Sequence, residues 1–357
     1  MKIGMLSFAH VHSPAYAQIL RELPDAELVA IADDDRARGE AAAREYGAHY
    51  YDDFGALLAR GDVAAVVVCA PNVQHRALTV AAAEAGKHVL CEKPLATTRA
   101  DGEAMIAACR RAGVQLMTAF PMRFSPPVIA MRAMVRDGAI GEVLAVNGTN
   151  HGSLPPGWLT DPALAGGGAV MDHTVHVADL LRCILQREFT SVYAEIDTLL
   201  HPGLPVDDCA TLLLELEGGV FASLDPSWSR PRTFPTWGDV TLEVVGARGV
   251  LWLDAFAQRV EVYSDVVART RWGGDIGAQP AWEGYAGSGD PDMIRAFVAA
   301  VREGGAVPVT GEDGLRAAEV ALAAYESART GQPVPVSTVF RNGAGTNAAM
   351  RPIDFRG

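Results

Sequence analysis

From residue 2 to about residue 120, apolar runs alternate with stretches in which apolar residues recur every three to four positions. The runs "KIGMLSF", "AELVAIAD", "VAAVVVCA", "HVLCEKP" and "VQLMTAF" are nearly continuous, the pattern of strands covered by helices on both faces. Between them the spacing predicts helices near 13–21, 36–46, 73–85 and 99–112. Gly86 and Gly113 each follow one of these, where a left-handed closing residue is wanted. Regular strand-helix alternation predicts a Rossmann-like, doubly wound parallel sheet.

Beyond Phe120 the texture changes. "VLAVNGTNHGS", "FTSVYAEIDTLL", "CATLLLELEGGVFASLDPSW", "DVTLEVVGARGVLWLDAF" and "QRVEVYSD" read as strands joined by short glycine turns such as "EGG" and "GARG". Helical spacing recurs near 126–137, 172–185, 291–303 and 314–329. The expectation is an α/β half at 1–120, an α+β half on a largely antiparallel open sheet at 121–340, and an aperiodic tail at 341–357 that is a loose arm or a strap over a neighbour. A sheet with helices on one face leaves its other face to be covered, most simply by another copy, so a homodimer or homotetramer is expected.

Length and charge narrow the classes. A chain of 357 residues favours two domains. No apolar run reaches the roughly 18 residues that span a bilayer, so no membrane partner is expected. A formal charge of -13 argues against a nucleic-acid groove, which needs clustered Lys and Arg. Cys69, Cys91, Cys109, Cys183 and Cys209 are odd in number, lack a C-x-x-C pair and lie in apolar runs, and the chain opens without a signal-like segment. A reduced, cytoplasmic setting is expected.

The first candidate chemistry lies at the end of the first strand, in "GMLSFAHVHSPAY". A G-x-G-x-x-G fingerprint would place glycines where Ser7, Ala9 and His12 stand. Ser7 and Ala9 are the smallest substitutes, and the N-H groups of the following helix would still face a pyrophosphate. His12, with His10 beside it, sets an imidazole near the phosphates. Asp33 ends the second apolar run about 20 residues on, where a carboxylate accepts from adenosine ribose hydroxyls and repels a 2'-phosphate. NAD is therefore expected over NADP, with Arg36 and Arg38 keeping NADP as the alternative. Asp34 and Asp35 read as turn or helix-capping residues.

"CAPNVQH" and "CEKPLA", then "RFSP", "GGGAVMDHTVHVADLL" and "GEDGLRAAEVALAAYESARTGQPV", occur in the order and spacing that resemble the Gfo/Idh/MocA oxidoreductases, the family of glucose-fructose oxidoreductase and inositol dehydrogenase. The resemblance covers nearly the whole chain. It implies an NAD-dependent oxidoreductase acting on a secondary hydroxyl of a sugar, cyclitol or related polyol. Lys93 matches the family's active-site lysine, after Glu92 at the carboxyl edge of the sheet, while Asp172 and His176 match its aspartate and histidine at the substrate. Pro71, Asn72 and His75 match the edge that lines the nicotinamide side, and Arg123 its "R-F" segment.

Chemistry agrees with those assignments. Alcohol oxidation wants a cation or donor near the oxygen and a base within reach. Asp172 and His176, four apart on a predicted helix, share a face, with His176 the expected proton acceptor or donor and Asp172 its orienter or a grip on substrate hydroxyls. Asp179, one turn further, reads as support for this helix or for the histidine. Asn150, His173 and Trp158 complete the expected substrate set, and Trp228 and Trp237 read as core or ring-stacking residues. His10, His12, Asp172, His173 and His176 also offer metal-ligand chemistry, but their spacing does not match H-E-x-x-H, and no metal is assigned. Two rival readings remain: NAD held permanently for a redox-neutral epimerisation, elimination or glycoside cleavage, and a non-catalytic ligand sensor, against which the retention of Lys93 and His176 speaks.

Overall fold

The computed structural model describes residues 1–257, 259–264, 270–273 and 289–336, so the tail expected at 341–357 lies outside the described residues. The first sheet collects β1 (Lys2–Leu6), β2 (Glu27–Ala32), β3 (His49–Tyr51), β4 (Ala65–Val68), β5 (His88–Cys91) and β6 (Leu116–Thr118), all parallel, in the order β3-β2-β1-β4-β5-β6. The crossovers are α1 (Ser13–Glu22), α2 (Arg36–Tyr46), α3 (Phe54–Leu58), α4 (His75–Glu84) and α5 (Arg99–Ala112). Every residue of β4 is buried, as a strand between two helical layers should be. Burying Val66, Val67 and Val68 contributes roughly 1.5–3 kcal/mol each relative to exposure.

Local signals explain the helix ends. Asp35 caps α2 by accepting from the Arg38 N-H at 3.0 Å, and Gly47 closes it with φ 71°. Thr98 caps α5 and Gly113 closes it. The strand order reverses between β1 and β4, which places the topological switch point, where such sheets bind ligands, at the carboxyl ends of β1, β4 and β5.

The second half begins with α6 (Pro126–Arg136) and runs through β7 (Val143–Gly152), α7 (Pro162–Ala165), α8 (Ala169–Leu185), β8 (Phe189–Asp197), β9 (Cys209–Leu216), β10 (Val220–Asp225), β11 (Gly238–Gly246), β12 (Gly249–Asp254), β13 (Arg259–Ser264) and β14 (Thr270–Gly273). Helices α9 (Gly289–Glu303) and α10 (Gly311–Thr330) and the short β15 (Val334–Pro335) close the described chain. These nine strands form one sheet, ordered β14-β13-β12-β11-β7-β10-β9-β8-β15, whose described pairings are antiparallel except for β7 with β10. Burial alternates along β9, with Leu212 and Leu214 inside and Leu213 half exposed. One face lies on α8 and α10, and the other is open among the described residues, with Phe221 61 % exposed. A hollow of about 390 Å³ on that open face, lined by Asn147, Thr211, Ser223 and Thr241 among others, shares no residue with the site described next.

Candidate active site

Helix α8 is buried almost all round, so its first turn is held by protein rather than water. Gly168 precedes it where a Cβ would lie 1.9 Å from the Asp207 carbonyl oxygen, so only glycine lets the two backbones meet. The Asp207 carboxylate then accepts from the Gly168 and Val170 N-H groups at 2.9 and 2.8 Å. The Tyr325 hydroxyl, from α10, accepts from the Gly168 and Met171 N-H groups at 3.1 and 3.2 Å and donates to Asp207 at 2.7 Å. The helix start is thereby capped by two side chains remote in sequence.

That register brings Asp172 to Lys93. The ammonium donates to Asp172 Oδ1 in a buried ion pair and lies 3.4 Å from the Asp172 carbonyl oxygen. Asp172 Oδ2 accepts from the indole N-H of Trp228 at 3.3 Å and lies 3.3 Å from His173 Nε2. Burial pushes the Asp172 carboxyl up, but Lys93 and His173 outweigh it and hold the group well below the usual carboxylate range. His176 is buried one turn on, with Phe120 edge-on at 5.9 Å. Burial, then the Lys93 charge, drives its imidazole well below the ordinary histidine value, so it is neutral at working pH.

The other predicted residues fall into three places. Ser7 is buried with φ 68°, so it adopts the left-handed backbone the first glycine of the fingerprint would supply, and its hydroxyl accepts from the Ala9 N-H at 3.2 Å. Asp33 is buried at the end of β2, accepting from the Phe8 N-H at 2.6 Å, the Asp35 N-H at 2.8 Å, and Arg38 Nε and a terminal guanidinium nitrogen at 2.9 and 2.6 Å. Asp34 beside it is half exposed and paired with Arg38 at 3.1 Å. His10 and His12 converge on Glu92. Burial lowers the His10 imidazole to about 3.

At the β4 edge, His75 lies 2.9 Å from the Pro94 carbonyl oxygen and 3.1 Å from that of Ala70, pinning the ends of β4 and β5 together beside Pro71. Asn72 reaches into the second half, donating to the Ala165 carbonyl at 2.9 Å. Trp158 makes the reciprocal crossing: its indole N-H donates to the Ala9 carbonyl at 2.9 Å, and its ring lies 5.9 Å from that of His10. Asn150 and His173 hold each other, the amide donating to the His173 carbonyl at 3.0 Å and His173 Nδ1 donating to the Asn150 carbonyl at 2.8 Å. Trp237 packs edge-on to His173 at 5.6 Å.

Arg123 sits elsewhere, in a buried network with Asp179 and Asp313 that Arg182 joins at 3.0 Å. It binds α8 to α10. Sequence reading missed three supports of the site: Trp228 as a donor to Asp172, and Asp207 and Tyr325 as the caps of α8. Nothing in "VDD" or in the periodic α10 segment distinguishes the last two from ordinary loop and helix residues.

Residues 2–120 match the profile described as oxidoreductase family, NAD-binding Rossmann fold, and residues 128–252 match the GFO/IDH/MocA C-terminal domain. The chain is 31% identical over 342 residues to D-apiose dehydrogenase of Paraburkholderia graminis, covering 94% of this chain and 88% of that one. It is 30% identical to myo-inositol 2-dehydrogenase of Thermotoga maritima, covering 95% of this chain and all of the relative (100%). A solved levoglucosan dehydrogenase, in complex with NADH and levoglucosan, superposes with a TM-score of 0.83 at 26% identity, covering 94% of this chain and 99% of that one.

Proposed function

Because this chain belongs to the GFO/IDH/MocA family of oxidoreductases with an NAD-binding Rossmann fold, we propose that it moves a hydride between nicotinamide and a secondary hydroxyl or ketone of a sugar, cyclitol or related polyol. The single observation that carries the reading is the buried Lys93–Asp172 pair, with neutral His176 one turn away, at the carboxyl edge of a doubly wound sheet. The first loop keeps the left-handed turn of a dinucleotide fingerprint, which Ser7 supplies without a glycine. Bound NAD supplies the hydride acceptor.

The chain's own residues supply the rest. Lys93 aims a positive donor at the alcohol oxygen, where negative charge develops as the proton leaves. His176, kept neutral by burial, accepts that proton. Asp172, anchored by the Trp228 indole, keeps the ammonium in place. Asn150 and His173, locked to one another, form a rigid wall for neutral hydroxyls. Residues 1–120 take the dinucleotide, and 121–340 take the substrate and the contact with a second copy.

The relatives' names support a polyol substrate: one is an apiose dehydrogenase and another an inositol dehydrogenase. Screening sugars and cyclitols for NADH formation tests this, and a wild-type chain that turns over none of them while Lys93→Met behaves identically would defeat it. The second reading, NAD retained through a redox-neutral cycle, is favoured by the crossing bonds of Trp158 and Asn72, which tie the two halves shut. Cofactor released on acid extraction of purified protein, with no net NADH produced, selects it.

The open face of the nine-stranded sheet supports a homodimer or homotetramer, since Leu144, Leu213 and Phe221 are all exposed there. Phe221→Glu is expected to lower the mass in light scattering; an unchanged monomeric mass in wild type removes the idea. All five cysteines are unpaired, which supports a reducing compartment such as the cytoplasm. No helix among the described residues is long and apolar enough to cross a membrane.

A further inference from the structure

His10, His12 and Glu92 have no part in the proton and hydride steps above. Yet among the described residues they are the group whose potential ligand atoms converge, one from each side chain lying within 4.8 Å of the others. His10 and His12 come from the loop after β1, and Glu92 from the end of β5. His12 Nδ1 is 3.0 Å and His10 Nδ1 is 3.7 Å from Glu92 Oε1, with the two rings edge to face at 4.5 Å. Two ligand atoms each about 2.1 Å from a metal, at tetrahedral or octahedral angles, stand about 3.0–3.4 Å apart, so the site needs only slight adjustment.

Charge favours a cation as well. The Lys93 ammonium is taken by Asp172, while the Glu92 carboxylate is buried and turns Oε1 toward the two imidazoles. Its Oε2 accepts the Lys93 N-H at 3.0 Å. A buried carboxylate wants a compensating charge.

The loop supplies an independent reason. An ordinary dinucleotide loop aims backbone N-H groups at the pyrophosphate. Here the Phe8 N-H is spent on Asp33, that of Ala9 on the Ser7 hydroxyl, and that of His10 on the Cys69 carbonyl. Those of His12 and Ser13 go to His10 Nδ1 and the His10 carbonyl, and Pro14 has none. A metal on His10 Nδ1 would displace the His12 N-H, whose contact there is 3.2 Å. A loop that has turned so many donors inward needs another way to meet a diphosphate.

We propose that His10, His12 and Glu92 bind one divalent first-row cation of the zinc, cobalt or manganese class, whose remaining positions take phosphate oxygens of the bound dinucleotide. Two imidazoles, a carboxylate and open positions suit such ions. The metal site stands on these three residues alone; its link to phosphate rests on the NAD reading.

The test uses the full-length chain stripped with a chelator and titrated with Co(II), followed by equilibrium dialysis and visible absorption. One Co(II) per chain is expected, with a ligand-field band, and a loss of affinity of tenfold or more in His10→Ala, His12→Ala and Glu92→Gln. Far-UV circular dichroism checks each variant, and His12→Ala, at the partly exposed member, decides if the buried variants unfold. Absent stoichiometric binding, or binding undiminished in His12→Ala, overturns the site. NAD affinity is then measured by calorimetry with and without Zn(II): a tenfold gain with metal is expected, and equal affinities overturn the phosphate link. NAD that binds in neither condition defeats the oxidoreductase reading and leaves the metal result intact.

Discussion

Lys93 and Asp172 form one ion pair, yet the chain positions its two members by opposite means. Lys93 follows β5, a strand paired on both sides, so its backbone is placed by a ladder of main-chain bonds that no single side chain controls. Asp172 sits in the first turn of α8, whose N-H groups hang on Asp207 and Tyr325, 39 and 157 residues from Gly168 in sequence. The strand end is fixed by topology, the helix start by side chains. Substitutions on the strand side should therefore strike the chemistry directly, and those behind the helix should act through position.

The largest effect tests the strand side. Lys93→Met removes the donor and strands a buried carboxylate, so kcat on a true substrate should fall by about a thousandfold, read as initial-rate NADH formation. A loss under tenfold would mean that the ladder holds something other than the reacting group. On the helix, His176→Asn should cost roughly a hundredfold in kcat. Wild-type kcat/KM should keep its value well below pH 6.5, because burial lowers the His176 value and moves the acid limb down with it. An acid limb at the ordinary histidine value of about 6.5 would place the base in open solvent.

Behind the helix the effect shrinks. Tyr325→Phe deletes one hydroxyl that serves two N-H groups and Asp207, worth about 1 kcal/mol, so kcat/KM should drop about fivefold. The split matters more than the size: a positional defect raises KM together with lowered kcat while leaving the pH profile in place. If Tyr325→Phe equals Lys93→Met, the contrast between the two sides collapses.

The smallest effect lies outside both and serves as a control. His151 is 2.8 Å from Asp239 and 3.0 Å from Asp225; burial pulls its value down, but these carboxylates raise it to about 9. With the folded value above the unfolded one, its stabilisation is complete below about pH 6.5 and is lost as pH rises through about 9. His151→Gln should therefore lower the melting temperature by about 2 °C at pH 6 and by less at pH 10, with little change in kcat.

What was legible in the sequence follows the same division. Continuous apolar runs announced β1, β2, β4, β5 and β6, and helical spacing gave α2 and α5 to the residue, because both sheet faces are buried and the hydrophobic pattern reports burial. β3 and α3, at 49–58, went unread: a three-residue edge strand of partly exposed aromatic residues and a single helical turn carry too little period. The parallel pairing of β7 with β10 was also hidden, since alternation fixes which face is inward and says nothing of which strand lies alongside.

For the site, the spacing of Asp172 and His176 showed that they share a face. It could not show that Asp172 would turn to Lys93 and the Trp228 indole, because contacts between elements have no signature in either element alone. Trp158 was placed in the substrate set, and the structure puts its indole N-H on the Ala9 carbonyl. Arg123 was matched to the "R-F" segment, and its guanidinium is held by Asp179 and Asp313.

The caps on α8 also set an order for synthesis. While the ribosome is still adding residues, the parallel sheet has all its strands by residue 118, and Lys93 stands at its edge with no carboxylate opposite. Asp172 emerges later, and the hydroxyl that fixes its turn arrives only with residue 325, in the last helix described. A chain that stops short of residue 325 thus carries the lysine without the hydroxyl that fixes its partner's turn.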